Sequence, residues 1–255
     1  MTGLLLLLLL AAREVPPVPQ PTPLQAPVPE VSVLSDGTEV WLLHRPAVPL
    51  VRVEVSWRQG YLAQPDREAA MVAGALAGRR DGIDWEALEA MGGVAQLGAG
   101  AQRAWADVEV LKGHEEEAIA WLAAAMQAPF GGTEVRRLSR RWAAARRETW
   151  RSLGRVHNLV LSEELHPDEH PLGFRPTAAD WRQVTPRRVR RAWQHMLRSG
   201  DVAVFVAGDV SAEAVVAPLE ATLEALGAEG EGTPLSIPPP DWPAKRRVVV
   251  VDHPG

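Results

Sequence analysis

The sequence predicts an α+β fold, an antiparallel sheet with helices packed on one face. Three observations carry that expectation. Val51, Val53, Val55 and Trp57 alternate with Arg52, Glu54 and Ser56, the pattern of a strand with one buried face. Asp36-Gly37 stands between two apolar runs, a strong signal for a type I′ hairpin. Segments with apolar residues at helical spacing follow, interleaved with further strand text and closed by glycine or proline.

In chain order, Val31-Ser32-Val33-Leu34 and Val40-Trp41-Leu42-Leu43 form the hairpin, and the alternating strand comes next. Glu68–Gly78 reads as a helix rich in small residues, suited to close approach to another element. Asp84–Met91 is a short helix stopped by Gly92-Gly93. Residues 94–111 return to strand character around a glycine-rich turn at Gly98–Gly100. Glu115-Glu116-Glu117 opens a helix on Ile119, Leu122 and Met126, its carboxylates favoured at the positive end of the dipole. Residues 133–152 carry Val135, Leu138, Trp142, Ala145, Thr149 and Ser152 at helical spacing, with Arg136, Arg140, Arg147 and Arg151 off that stripe as a solvated face. Thr185-Pro186 caps and opens a helix burying Val189, Trp193 and Leu197. Val202–Ala207 is a buried strand, Ser211–Leu226 a helix, and Val248–Val251 the start of another strand.

The organisation is then a signal-like segment at 1–13, a proline-rich tether at 14–30 and an α+β body at 31–227. Residues 228–255 are a linker and the first strand of a second, truncated module. Leu4–Leu10 followed by Ala11-Ala12 has the length of a secretory h-region and is too short to span a bilayer. It implies an exported protein, periplasmic or secreted and not membrane-spanning, although the run lacks a basic flank. The 255 residues suffice for one core or two. The absence of cysteine excludes disulfides and thiolate metal sites, and a net charge of −5 argues against a nucleic-acid partner.

His166-Pro167-Asp168-Glu169-His170 has the spacing of a zinc motif, which works only when a helix carries both imidazoles on one face. Each histidine here precedes a proline, which pushes it out of the helical region. The segment reads instead as a turn between helices. The alternative, a zinc-dependent endopeptidase acting on peptides through His166, Glu169 and His170, uses the same residues in a rearranged site.

Several landmarks fall in one order over residues 31–255: L-S-D-G-T-E-V-W-L-L-H at 34–44, V-R-V-E-V-S-W-R-Q-G at 51–60, L-E-A-M-G-G at 88–93, His170-Pro171-Leu172-Gly173, and Val206-Ala207-Gly208-Asp209-Val210. Together they resemble the N-terminal module of the pitrilysin/insulinase-type zinc peptidases, which include the mitochondrial processing peptidase subunits. The resemblance implies a metallopeptidase-like half-module with its zinc motif in the helix at 68–78. This chain has Met71-Val72-Ala73-Gly74-Ala75-Leu76 there, and no histidine occurs between His44 and His114. Glu148 stands where the family has its downstream glutamate ligand, isolated, and reads equally as a surface carboxylate pairing with Arg151. The resemblance therefore implies no catalytic residues, no metal ligand set and no cofactor. It implies a non-catalytic, scaffold-type partner of an active homologous peptidase subunit, as in a heterodimer, that binds extended peptides.

Overall fold

The computed structural model describes residues 26–198, 201–228, 235–240, 242 and 248–252. The signal-like segment, most of the tether and the basic Lys245-Arg246-Arg247 lie outside these. Strands β1 (Glu30–Val33), β2 (Glu39–His44) and β3 (Leu50–Trp57) precede helices α1 (Arg67–Leu76) and α2 (Trp85–Ala90). Then come β4 (Val94–Ala99), β5 (Ala104–Leu111), α3 (Glu115–Gln127), α4 (Gly132–Glu148) and α5 (Leu153–Leu165). The chain continues through α6 (Ala178–Gln183), α7 (Pro186–Arg198), β6 (Val202–Gly208) and α8 (Ala212–Leu226).

The strands form one six-stranded sheet in the order β1-β2-β6-β3-β5-β4. Its inner face carries Val40, Leu42, Val51, Val53, Val55, Val108, Val204 and Val206, all buried beneath the helices. Every neighbouring pair is antiparallel except β2 and β6, which run parallel from Glu39–Ala203 to His44–Gly208. The sheet is thus mostly antiparallel, as expected, with one parallel ladder inside it. The paired segments are far apart in the chain and joined through the helical layer, and such a crossover permits a parallel ladder where a tight turn does not.

The first hairpin forms, but not with the expected type I′ turn. That turn needs positive φ at both central residues, and among the described residues only glycines have it, Gly37 at +88°. Gly37 N–H donates to Leu34 O at 3.0 Å and Leu34 N–H to Thr38 O at 2.9 Å, closing a three-residue loop. Asp36 accepts from Thr38 N–H at 2.9 Å. The aspartate thus works through its side chain, and only the glycine takes the left-handed conformation.

Asp66 caps α1 by accepting from Ala69 N–H at 3.2 Å, and it receives both arms of Arg188 on α7 at 2.7 and 2.9 Å. One carboxylate thereby ties the start of α1 to the start of α7. The helix read over 133–152 ends at Glu148, and its buried stripe runs through Val135, Leu138, Ser139 and Ala143, leaving Ala145 exposed. A tight turn at Thr149–Arg151 follows, and Ser152 is the N-cap residue of α5, a helix the sequence reading missed. Val248–Val251 forms no strand: its side chains stand 77, 44, 88 and 39% exposed. A strand exists only through a ladder partner, and none lies beside these valines among the described residues.

Candidate functional site

The helix that the family resemblance assigns to zinc is α1, and its inward face is sealed. Ala69, Ala70, Val72, Ala73 and Gly74 are buried. A Cβ added at Gly74 would lie 2.7 Å from Ala99 O and 2.8 Å from Ala99 Cβ; at Gly78, just beyond the helix, it would lie 3.4 Å from Leu97 O. The helix rests almost directly on the backbone of β4. An imidazole or carboxylate has no room on this face.

Glu148 closes α4 and holds Arg151 through both oxygens, at 3.0 and 3.1 Å. This is the surface pairing with a neighbour three residues on that the sequence also allowed.

His166 and His170 are both extended, at φ −136°, ψ 91° and φ −74°, ψ 138°. The prolines act as local sterics dictate. Their rings lie 4.6 Å apart, tilted 34° to one another. Leu172 N–H donates to His170 Nδ1 at 3.0 Å, and His170 Nε2 donates to Pro238 O at 3.0 Å, so both of its ring nitrogens are engaged. Glu169 is exposed. The three residues therefore do not fit a zinc ion, which needs lone pairs converging on one point. Among the described residues no cluster of three or more histidines and carboxylates could hold a metal.

The turn has a different organiser, one the sequence reading did not single out. Arg175 donates to Ser162 O, Gly173 O and Asp168 Oδ1, each at 2.8 Å, and also to His166 O. It thus adds a second donor to Ser162 O, which already accepts from His166 N–H, satisfies His166 O just past the end of α5, and folds the His-Pro segment around its guanidinium.

His166 Nδ1 is buried without a partner. Burial foremost, then the neighbouring His170 and Arg175, holds this imidazole below its ordinary value of 6.5. A base depressed in the folded state binds protons more readily once unfolded, so the turn loses stability as pH falls below about 6.5. Amide protection of residues 166–174, corrected for intrinsic exchange, is expected to decline between roughly pH 7 and 5. His166→Phe should flatten that slope, and a flat profile in the unsubstituted protein would refute the assignment.

The helix-free face of the sheet carries the remaining candidate surface. Arg52 pairs with Asp107 and Arg103 with Glu54, the latter at 2.9 Å. Beside these pairs runs an apolar row, Val31–Trp41–Phe205, in register across β1, β2 and β6 and 46, 36 and 45% exposed. The alternation of V-W-L-L and V-A-V-F-V-A already pointed Trp41 and Phe205 away from the core, the one signal that could have found this row. β4 is the sheet edge on the far side, and its sequence V-A-Q-L-G-A holds no charge and no proline.

Solved M16-type peptidase domains, the pitrilysin/insulinase type that the sequence resembles, share this fold. The chain superposes on the M16 peptidase inactive domain of Pseudomonas fluorescens with a TM-score of 0.68 at 16% identity, over 83% of this chain and 53% of that one. It matches the periplasmic protease PqqL of Escherichia coli at 0.61 and 16% identity, over 86% of this chain and 26% of that one. For a protease from Helicobacter pylori the values are 0.60 and 16%, over 83% and 54%. At such identities the likeness establishes the fold. The chain spans about half the length of two of these solved chains and about a quarter of the third. No protein-family model and no curated protein sequence matches it. Among the described residues no helix is long and apolar enough to cross a membrane.

Proposed function

We propose that this chain is a non-catalytic, peptide-binding half of an M16-type peptidase chamber, exported and paired with a homologous subunit or module that carries the zinc. The observation that supports this reading best is the edge of β4, which pairs with no further strand among the described residues and is flanked by α1 at Leu97 and Ala99. Gly100 N–H donates to Arg103 O at 2.8 Å, which marks that pair as hydrogen-bonded. Alternation along an antiparallel ladder then turns Gly98, Gln96 and Val94 toward β5 and aims the N–H and C=O of Ala95, Leu97 and Ala99 outward. An uncharged edge strand is the template that natural sheets usually protect, and extended peptides bind by adding to one. α1 walls the strand at Leu97 and Ala99, and a recess of about 600 Å³ lined by Arg58, Gln102, Arg103 and Trp105 opens at its end.

Export is supported by the leucine run at 4–10 and by the shared fold of a periplasmic protease. A second half is supported by the greater length of the matched chains.

Ala95→Pro removes an outward N–H without touching the β4–β5 ladder, a position where an edge strand tolerates proline. It is expected to weaken binding of a fluorescent extended peptide about tenfold or more with little change in fold. Val31→Pro, on the opposite edge, serves as the control and should bind normally. Equal loss in both variants, or in neither, would sink the β4 site. Affinity capture of the full chain from its native host tests the pairing: a co-purifying homologue with an intact H-x-x-E-H is the expected result.

A further inference from the structure

Charge is unevenly spread along this chain. Residues 132–198 hold 15 of the 27 basic residues, every one an arginine, and 7 of the 32 acidic ones. That balance of +8 leaves −13 on the rest of the chain. On α4, Arg136, Arg137, Arg140, Arg141 and Arg147 are exposed. Ion pairs of this basic segment include Arg151–Glu148 and Arg175–Asp168, with Arg188 reaching out to Asp66. None of them neutralises the α4 arginines.

A second, independent feature lies in the same place. Trp150, Leu153 and Leu161 are 54, 70 and 48% exposed, and α5 buries only Val156. Within Arg146–Arg155 the order is R-R-E-T-W-R-S-L-G-R, so an exposed tryptophan and leucine stand directly among arginines. A purely electrostatic partner has no use for such apolar tips, and nucleic-acid bases would stack on Trp150 but leave the exposed Leu153 and Leu161 unused. A lipid headgroup zone takes both, with arginine on phosphate and tryptophan and leucine at the acyl boundary.

We propose that the α4–α5 face is a docking surface for a bilayer bearing anionic headgroups. α4 lies in the helical layer, packed on α1, α6 and α7. The inference does not rest on the peptide-binding reading, and either can fail without the other. The leucine run and the tether that precede the body in the sequence accord with a molecule held near a membrane.

The test is co-sedimentation of the full chain with phosphatidylcholine vesicles, and with vesicles of phosphatidylcholine and phosphatidylglycerol at about 7:3, in low and high salt. Binding to the anionic vesicles should be at least roughly tenfold tighter and should collapse near 0.5 M salt, where screening is short-ranged. A triple variant, Arg136→Gln, Arg140→Gln and Arg147→Gln, should lose binding on the order of 100-fold. Trp150→Ser with Leu153→Ser and Leu161→Ser should lose about tenfold at unchanged charge. All six positions are exposed, and circular dichroism checks that the fold is kept. Equal binding to neutral vesicles by every variant would assign the association to the leucine run and overturn the proposal. A dimer that both triple variants dissolve, with no vesicle binding, would overturn it in favour of a second copy on this face.

Discussion

Gly74→His is expected to destabilise the protein by about 3–5 kcal/mol and to recruit no zinc. The position lies on the buried face of α1, where even a Cβ would sit 2.7 Å from Ala99 O and 2.9 Å from Ala99 N. β4 cannot retreat freely, because it is paired with β5 along its whole length, from Val94–Glu109 to Ala99–Ala104. A histidine there combines overpacking, about 1–3 kcal/mol, with an imidazole lacking hydrogen-bond partners, of similar cost. For a domain of this size the melting temperature should drop by about 10 °C or more. Gly74→Ala makes the test sharper. Helix propensity alone would make it stabilising by about 1 kcal/mol, so a loss of stability isolates the contact with β4. Thermal unfolding and metal analysis of the purified variants read both effects. A Gly74→His protein that melts normally and carries stoichiometric zinc would show that α1 can lift off the strand, and the sealed-helix account would fall.

Arg175→Ala is expected to unravel α5 and the His-Pro turn while leaving the sheet intact. With Val156 as its only buried residue, α5 draws little from packing and depends on how its last carbonyls are satisfied. Arg175 meets Ser162 O and His166 O and braces the turn through Gly173 O and Asp168, with its side chain 12% exposed. The turn has little slack of its own: a Cβ at Gly173 would fall 1.9 Å from Pro167 O. Losing several charge-assisted bonds at once should cost about 2–4 kcal/mol, felt locally. In hydrogen exchange, protection over residues 156–174 should vanish while that of β3, β5 and β6 persists. Arg175→Lys should not rescue it, because an ammonium cannot reach in several directions as the guanidinium fork does. Uniform loss across the sheet, or none anywhere, would contradict the role assigned to this residue.

Much of this architecture was legible beforehand. The alternation at Val51–Trp57 placed β3 and its buried face, and Thr185-Pro186 and the glutamate triplet placed the starts of α7 and α3. The prolines after His166 and His170 already excluded a helical zinc motif, and both residues are extended. The candidate surface was less legible. That β4 is an edge follows from strand order, and strand order joins segments as distant as Glu39 and Ala203. α5 was missed because its leucines and valines meet no core, so its periodicity carries no clean buried stripe.

The sequence by itself determined the class of fold, the caps, the non-helical histidines and the lack of ligands in the helix at 68–78. Each of those depends on sterics, periodicity or residue identity within a few positions of the chain. Only the tertiary structure decided that β2 and β6 run parallel, that Gly74 seats α1 on Ala99, that Arg175 binds four carbonyl or carboxylate groups, and that Val248–Val251 meets no ladder partner among the described residues. Those outcomes turn on which distant backbone comes within a few ångströms. That is set by how the whole core closes, a condition no local stretch of residues contains.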